Sequence, residues 1–193
     1  MLTGMRSRPV RKSTETYGEL GSFVSNLVTE ILDGELVTHC RPRMGQALAA
    51  SVLLGSLGGP FMRGKGGPGG WVLLSEPELH LGGEAIVPDL AGWRRERMPE
   101  LPDVTVMTVA PDWVCEVLAP ETEAMDRGCK MLSYAREQVE HVWLVNPGER
   151  TLEVYFLEED ECWSLLAVHE GSAIVRAEPF QAIKLELGPL WRR

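Results

Sequence analysis

The sequence predicts an α/β fold in which a mixed sheet carries an antiparallel β extension. Two observations predict it. A strand, a helix and a strand follow one another in mid-chain (113–118, 122–138 and 141–145). Beyond them, two further strand-like runs, Leu152 to Leu157 and Cys162 to Val168, flank the acidic stretch Glu158 to Glu161, which reads as a hairpin. The bulk numbers agree: 193 residues, 44% hydrophobic and 24% charged, is a globular balance at the length of one domain.

The first 16 residues are polar and basic, with Arg6, Arg8, Arg11 and Lys12, and no apolar signal core follows them. They are expected to be a flexible tail, with residues 17–193 as a single domain in a cytoplasmic protein without membrane contact. Residues 14–26 could form a short helix. Asp33-Gly34 between the apolar stretches of 28–38 is a hairpin signal. Met44 to Leu57 has apolar residues at helical spacing, Leu48, Val52, Leu53 and Leu57.

The glycine-rich stretch Arg63 to Gly70 lacks the Gly-Lys-Ser/Thr of a phosphate loop and reads as a turn before a strand. Strands are expected at 71–74, 84–93 and 113–118. The helix from Thr122 to Gln138 places Met125, Cys129, Leu132, Ala135 and Val139 along one apolar side, with Thr122 as its candidate cap. The four cysteines form no CxxC pair, which excludes a zinc ribbon and a thioredoxin-like motif. The histidines lack helical metal-ligand spacing.

Two acids stand out. Asp89 (AIVPDLAGW) and Glu116 (WVCEVLAP) each sit in an apolar strand context. An unpaired charge there is costly, so each needs a metal ion, a basic side chain or a solvent-filled cleft. Carboxylates on neighbouring strands, about 5 Å apart, can converge on one hard cation. Arg94, Arg95 and Arg97 beside Trp93 are either a nucleic-acid contact or an ordinary surface charge run. The net charge of −9 argues against tight nonspecific grip on DNA.

Val87-Pro88-Asp89 followed by Asp112 to Pro120 is similar to the metal-binding core of the PD-(D/E)XK nuclease superfamily. With Glu30 to Leu36, Asp126 to Lys130, Tyr134 and His141 to Pro147, the chain resembles the Uma-type family of that superfamily, over about residues 18–157. The resemblance implies a restriction-endonuclease-like fold, a mixed central sheet flanked by helices. It also implies hydrolysis of DNA phosphodiester bonds with magnesium or manganese. Asp89 and Glu116 would be the metal ligands, Glu30 an additional acid of the pocket or a hairpin-flanking surface acid, and Lys130 the catalytic lysine.

Three departures accompany it. The superfamily lysine position, two residues after the second acid, holds Leu118. Ala119-Pro120-Glu121 stands where many members have Ser-Pro-Ser, and a histidine common near Met44 is missing. These leave open a catalytically degenerate module that binds nucleic acid or protein, or a structural, oligomerising domain. A homodimer is compatible with either.

Overall fold

The structure, a computed structural model, describes residues 27–192. The expected basic tail of residues 1–16 lies outside the described residues, and so does the helix expected over 14–26. Three sheets are present among the described residues. A six-stranded mixed sheet has the order β10-β9-β8-β7-β6-β3. Its strands are β3 (Trp71–Ser75), β6 (Leu90–Arg94), β7 (Trp113–Val117), β8 (His141–Asn146), β9 (Thr151–Leu157) and β10 (Trp163–Glu170).

A smaller antiparallel sheet has the order β2-β1-β5-β4, from β1 (Leu27–Leu32), β2 (Glu35–Cys40), β4 (Leu79–Leu81) and β5 (Glu84–Ile86). Near the C-terminal end, β11 (Ile174–Val175) pairs with β12 (Leu185–Glu186). No helix among the described residues is long and apolar enough to cross a membrane.

The central strands are buried on both faces, so their side chains alternate between two cores. Trp113, Cys115 and Val117 of β7 pack with Trp143 and Val145 of β8 on one face, under Ala49, Leu53 and Leu57 of helix α1 (Met44–Leu57). Val114 of β7 and Val142 and Leu144 of β8 pack on the other, against Met131, Tyr134 and Val139. β7 and β8 run parallel, and the helical segment α2 forms the crossover between them. It comprises Glu123–Met125, a wide π-type turn Asp126–Lys130, and Met131–Arg136. Helices thus cover both faces of the sheet.

The hairpin at Asp33-Gly34 forms as expected, pairing Leu32 with Glu35 and Leu27 with Cys40. Two expectations are corrected. The strand expected over 84–93 is two strands in two different sheets, β5 and β6, broken at Val87-Pro88-Asp89. Pro88 has no N–H to give to a ladder, so the chain leaves one sheet there and enters the other.

The second concerns α2. Cys129 is exposed, as is Leu132 at 64%, whereas Asp126, Lys130 and Tyr134 are buried. The π-type turn rotates the helix relative to a 3.6-residue pattern, and the inward face carries polar groups that find partners. Of the apolar side expected from periodicity, Met125, Ala135 and Val139 do pack inward, and Cys129 and Leu132 do not.

Candidate active site

The break at Pro88 sets Asp89 at the junction of the two sheets. Continuing the β6–β7 register, in which Leu90 faces Cys115, by one residue puts Asp89 opposite Glu116, with both side chains on the α2 side of the sheet. Asp89 Oδ2 accepts the Val117 N–H at 2.7 Å, which fixes the carboxylate against β7. Asp89 and Glu116 line one cleft of about 450 Å³, together with Lys130, Asp126 and His39.

Lys130 is the cation of this cleft floor. It is only 2% exposed, and its Nζ lies 3.2 Å from Glu30 Oε1, 3.3 Å from Glu116 Oε1 and 3.5 Å from Asp126 Oδ1. Burial alone would lower its pKa, but Glu116, Glu30, Asp126 and Asp89 outweigh that and raise it. The ammonium therefore stays charged and cannot serve as a base near neutral pH. Tyr134, one helical turn on, donates its hydroxyl to Glu116 Oε1 at 2.5 Å. Leu118, at the lysine position of the superfamily, turns into the apolar core beside Tyr134 and Met131.

Glu30 is fully buried. Its Oε1 accepts the Val87 N–H at 2.8 Å, and its Oε2 lies 2.9 Å from His39 Nε2. The hairpin register explains the second contact: Glu30 faces Val37, so His39 is its diagonal neighbour on the same face. Burial would raise the Glu30 pKa, but Lys130, His39 and the Val87 N–H together hold it below the usual glutamate value.

The other acids shift the opposite way. Burial pushes Asp89 up to about 6, opposed by the Val117 N–H and Lys130, with Asp126 and Glu76 adding to the rise. Burial also raises Glu116 well above its ordinary value, and Lys130 does not compensate. Asp126 rises too, despite Lys130 and the Thr122 hydroxyl, which donates to Asp126 Oδ2 at 2.8 Å. Thr122 thus braces Asp126 and makes no side-chain cap to its helix.

Four carboxylates, Glu30, Asp89, Glu116 and Asp126, therefore surround a single ammonium, and the site is short of positive charge. Among the described residues, Asp89 Oδ1 and Glu116 Oε2 have no hydrogen-bond or ion-pair partner. No three His, Cys, Asp or Glu among the described residues form a ready-made metal cage. Two carboxylates with vacant oxygens are nonetheless a donor set suited to a small hard cation. Magnesium keeps several waters and takes one or two protein carboxylates.

The arginines Arg94, Arg95 and Arg97 are not brought to this cleft. Arg94 ends β6, about 16 Å of extended chain from Asp89. Its guanidinium lies 4.8 Å from the Trp71 ring centroid and 3.4 Å from Glu140. Arg97 pairs with Asp112 at 2.8 Å, and Arg95 donates to the Pro99 carbonyl. The arginines that line the cleft are Arg41 and Arg43.

Sequence reasoning did not single out these two, nor His39 and Asp126. The hairpin register could have found His39. The i, i+4, i+8 series Asp126, Lys130, Tyr134 could have found Asp126. Gln46, in the first turn of α1, was also missed; it donates to the Val117 carbonyl at 2.8 Å and ties α1 to β7.

Comparison with known proteins agrees with this architecture. No curated protein matches the sequence. Among solved structures, the chain is similar to one described as "putative nuclease belonging to DUF820" from Anabaena variabilis ATCC 29413. The TM-score is 0.68 at 20% identity, covering 84% of this chain and 89% of that one. A family model described as "Uma2: Putative restriction endonuclease" matches residues 15–188, nearly the whole sequence. The chain belongs to the Uma2 family.

Proposed function

We propose that this chain is a metal-dependent endonuclease that hydrolyses phosphodiester bonds in DNA. The observation that carries this reading is that Asp89 and Glu116, each with one oxygen (Oδ1 and Oε2) lacking a hydrogen-bond partner among the described residues, line one cleft beside the buried Lys130 ammonium. Family membership and the nuclease described above support the reaction class.

Asp89 and Glu116 would hold magnesium or manganese. Such an ion supplies a Lewis acid for the phosphate and lowers the pKa of bound water. The chain's own residues prepare that site. The Val117 N–H and the Tyr134 hydroxyl each occupy one oxygen of a carboxylate and leave the other without a hydrogen-bond partner among the described residues. Lys130 remains protonated, so its role is to offset negative charge as the phosphorane forms and to orient water, not to take a proton. Glu30 and Asp126 also hold the ammonium in place.

Net charge −9, Leu118 at the superfamily's lysine position and Ala119 in place of serine favour a second reading, a nuclease-fold module that binds without turnover. A nicking assay on supercoiled plasmid separates the two. The nuclease reading expects manganese-dependent conversion to open circles by the wild type, abolished by EDTA and by Asp89→Ala. Absence of nicking in either metal, with metal binding intact, would leave the non-catalytic module.

A further inference from the structure

Two exposed cations at the mouth of the cleft have no part in the chemistry above. Arg41 and Arg43 flank Pro42 in the connection from β2 to α1, and all three line the cleft. The arginine side chains are 56% and 74% exposed, unlike the buried lysine beneath them. Each reaches a carboxylate on a different part of the cleft wall. Arg41 lies 3.5 Å from Glu76, whose own N–H donates to the Asp89 carbonyl at 3.0 Å. Arg43 pairs with Glu121, in the connection from β7 to α2.

These ion pairs are solvent-exposed, with Glu76 and Glu121 themselves 47% and 55% exposed. Exposed pairs are weak and exchange readily for a stronger anion. The planar guanidinium fork suits phosphate oxygens as well as carboxylates. The protein needs such local cations, because its charge of −9 repels a polyanion at long range. Arg41 and Arg43 are two residues apart, so at most about 7 Å of chain separates them.

We infer that Arg41 and Arg43 form two subsites for backbone phosphates flanking the cleaved bond, and that Glu76 and Glu121 occupy the same guanidinium groups when no nucleic acid is bound. The inference rests on the nuclease reading above. It makes the two arginines positioning residues, which hold the strand over Asp89 and Glu116 without touching the reacting atoms. It makes the two glutamates internal competitors for the substrate. Binding the polyanion then costs two weak surface ion pairs and gains two charge-assisted phosphate contacts.

The test is steady-state cleavage of a labelled DNA duplex in manganese, across a series of salt concentrations. Arg41→Ala/Arg43→Ala should raise KM about tenfold, with kcat within about twofold of wild type. Its KM should also depend less steeply on salt, by about 0.9 in log–log slope for each arginine removed. Glu76→Gln/Glu121→Gln should lower KM, since the competing charge is gone, and Arg43→Lys should restore part of the Arg43→Ala loss. All four side chains are exposed, so the fold survives these changes, and Arg95→Ala serves as a distant control with wild-type KM. If the wild type cleaves but the double arginine variant keeps its KM and salt slope, the subsites are refuted and the nuclease reading stands. A fall in kcat at unchanged KM would also refute them. If the wild type neither binds nor cleaves, both readings fall together.

Discussion

Lys130 Nζ lies 3.3 Å from Glu116 Oε1, and this contact ties the crossover helix α2 to the central strand β7 beneath the cleft. The same ammonium meets Glu30 and Asp126, so one buried cation joins α2, both sheets and the candidate ligand Glu116.

Removing it strands buried carboxylates. Lys130→Met keeps the volume and deletes the charge, and breaking a buried pair from one side costs about 3–5 kcal/mol. The variant is expected to unfold at a clearly lower urea concentration than wild type at about pH 8. The deficit should shrink at about pH 5, where the stranded acids can take up protons. Circular dichroism in urea at the two pH values measures both. Equal midpoints at the higher pH would show that the ammonium does not hold the acids together.

Asp89 gives the metal-free protein a second pH dependence. Its folded pKa is raised from 3.8 to about 6, so the folded state binds the proton more tightly than the unfolded chain does. Its contribution therefore makes the protein more stable as pH falls from about 7 to about 5. His39, whose pKa is raised chiefly by its bond to Glu30, contributes in the same direction. Glu30 acts oppositely, losing its contribution only as pH falls through its lowered value, beneath this window. Asp89→Asn should flatten the rise without removing the His39 part. Thermal melts in EDTA across this range would show the difference, and parallel curves would contradict it.

Tyr134→Phe removes the hydroxyl that donates to Glu116 Oε1 at 2.5 Å and leaves packing almost unchanged. Losing a hydrogen bond to a buried carboxylate costs about 1–3 kcal/mol. A donor to a carboxylate favours its ionised form, so the Glu116 pKa should rise further. The expected result is a nicking pH profile displaced to higher pH, with the maximal rate less affected than the rate near neutrality. An unmoved profile would show that the tyrosine does not tune Glu116.

Gly92 of β6 supports the sheet away from the cleft. A Cβ there would stand 2.8 Å from Leu73 Cδ2 and 3.1 Å from Trp113 Cε3. Gly92→Ala should therefore cost about 1–3 kcal/mol of stability through overpacking, while leaving manganese affinity at the wild-type value. Paired urea and metal titrations would check both halves.

Much of the architecture could be read from local patterns. The Asp33-Gly34 hairpin, helix α1 and the strand–helix–strand unit carrying Glu116 each have a signal within a few residues. The ends of those elements and the three-residue strand β4 do not, because long-range pairing decides them: β4 exists by pairing with β5. The strand through Pro88 was overextended because apolar continuity outweighed the missing N–H. Around α2, Met125, Ala135 and Val139 were placed correctly but Cys129 and Leu132 were not, because part of the inward face is polar and satisfied by partners distant in sequence: Lys130 meets Glu30 a hundred residues earlier. Asp89, Glu116 and Lys130 were legible as a series of family positions, and the structure puts them around one cleft. Arg41 and Arg43 were not, since their place at its mouth follows only from how β2 hands over to α1.

The central claim is that Asp89 and Glu116 hold one divalent cation. Calorimetric titration of manganese into metal-free wild type, Asp89→Asn and Glu116→Gln tests it most directly. The wild type is expected to bind one ion per chain, with affinity falling as pH drops below about 6, where protons compete for Asp89. Each variant is expected to lose most of that affinity while keeping its fold. Wild-type affinity in both variants would place the cation elsewhere and contradict the account.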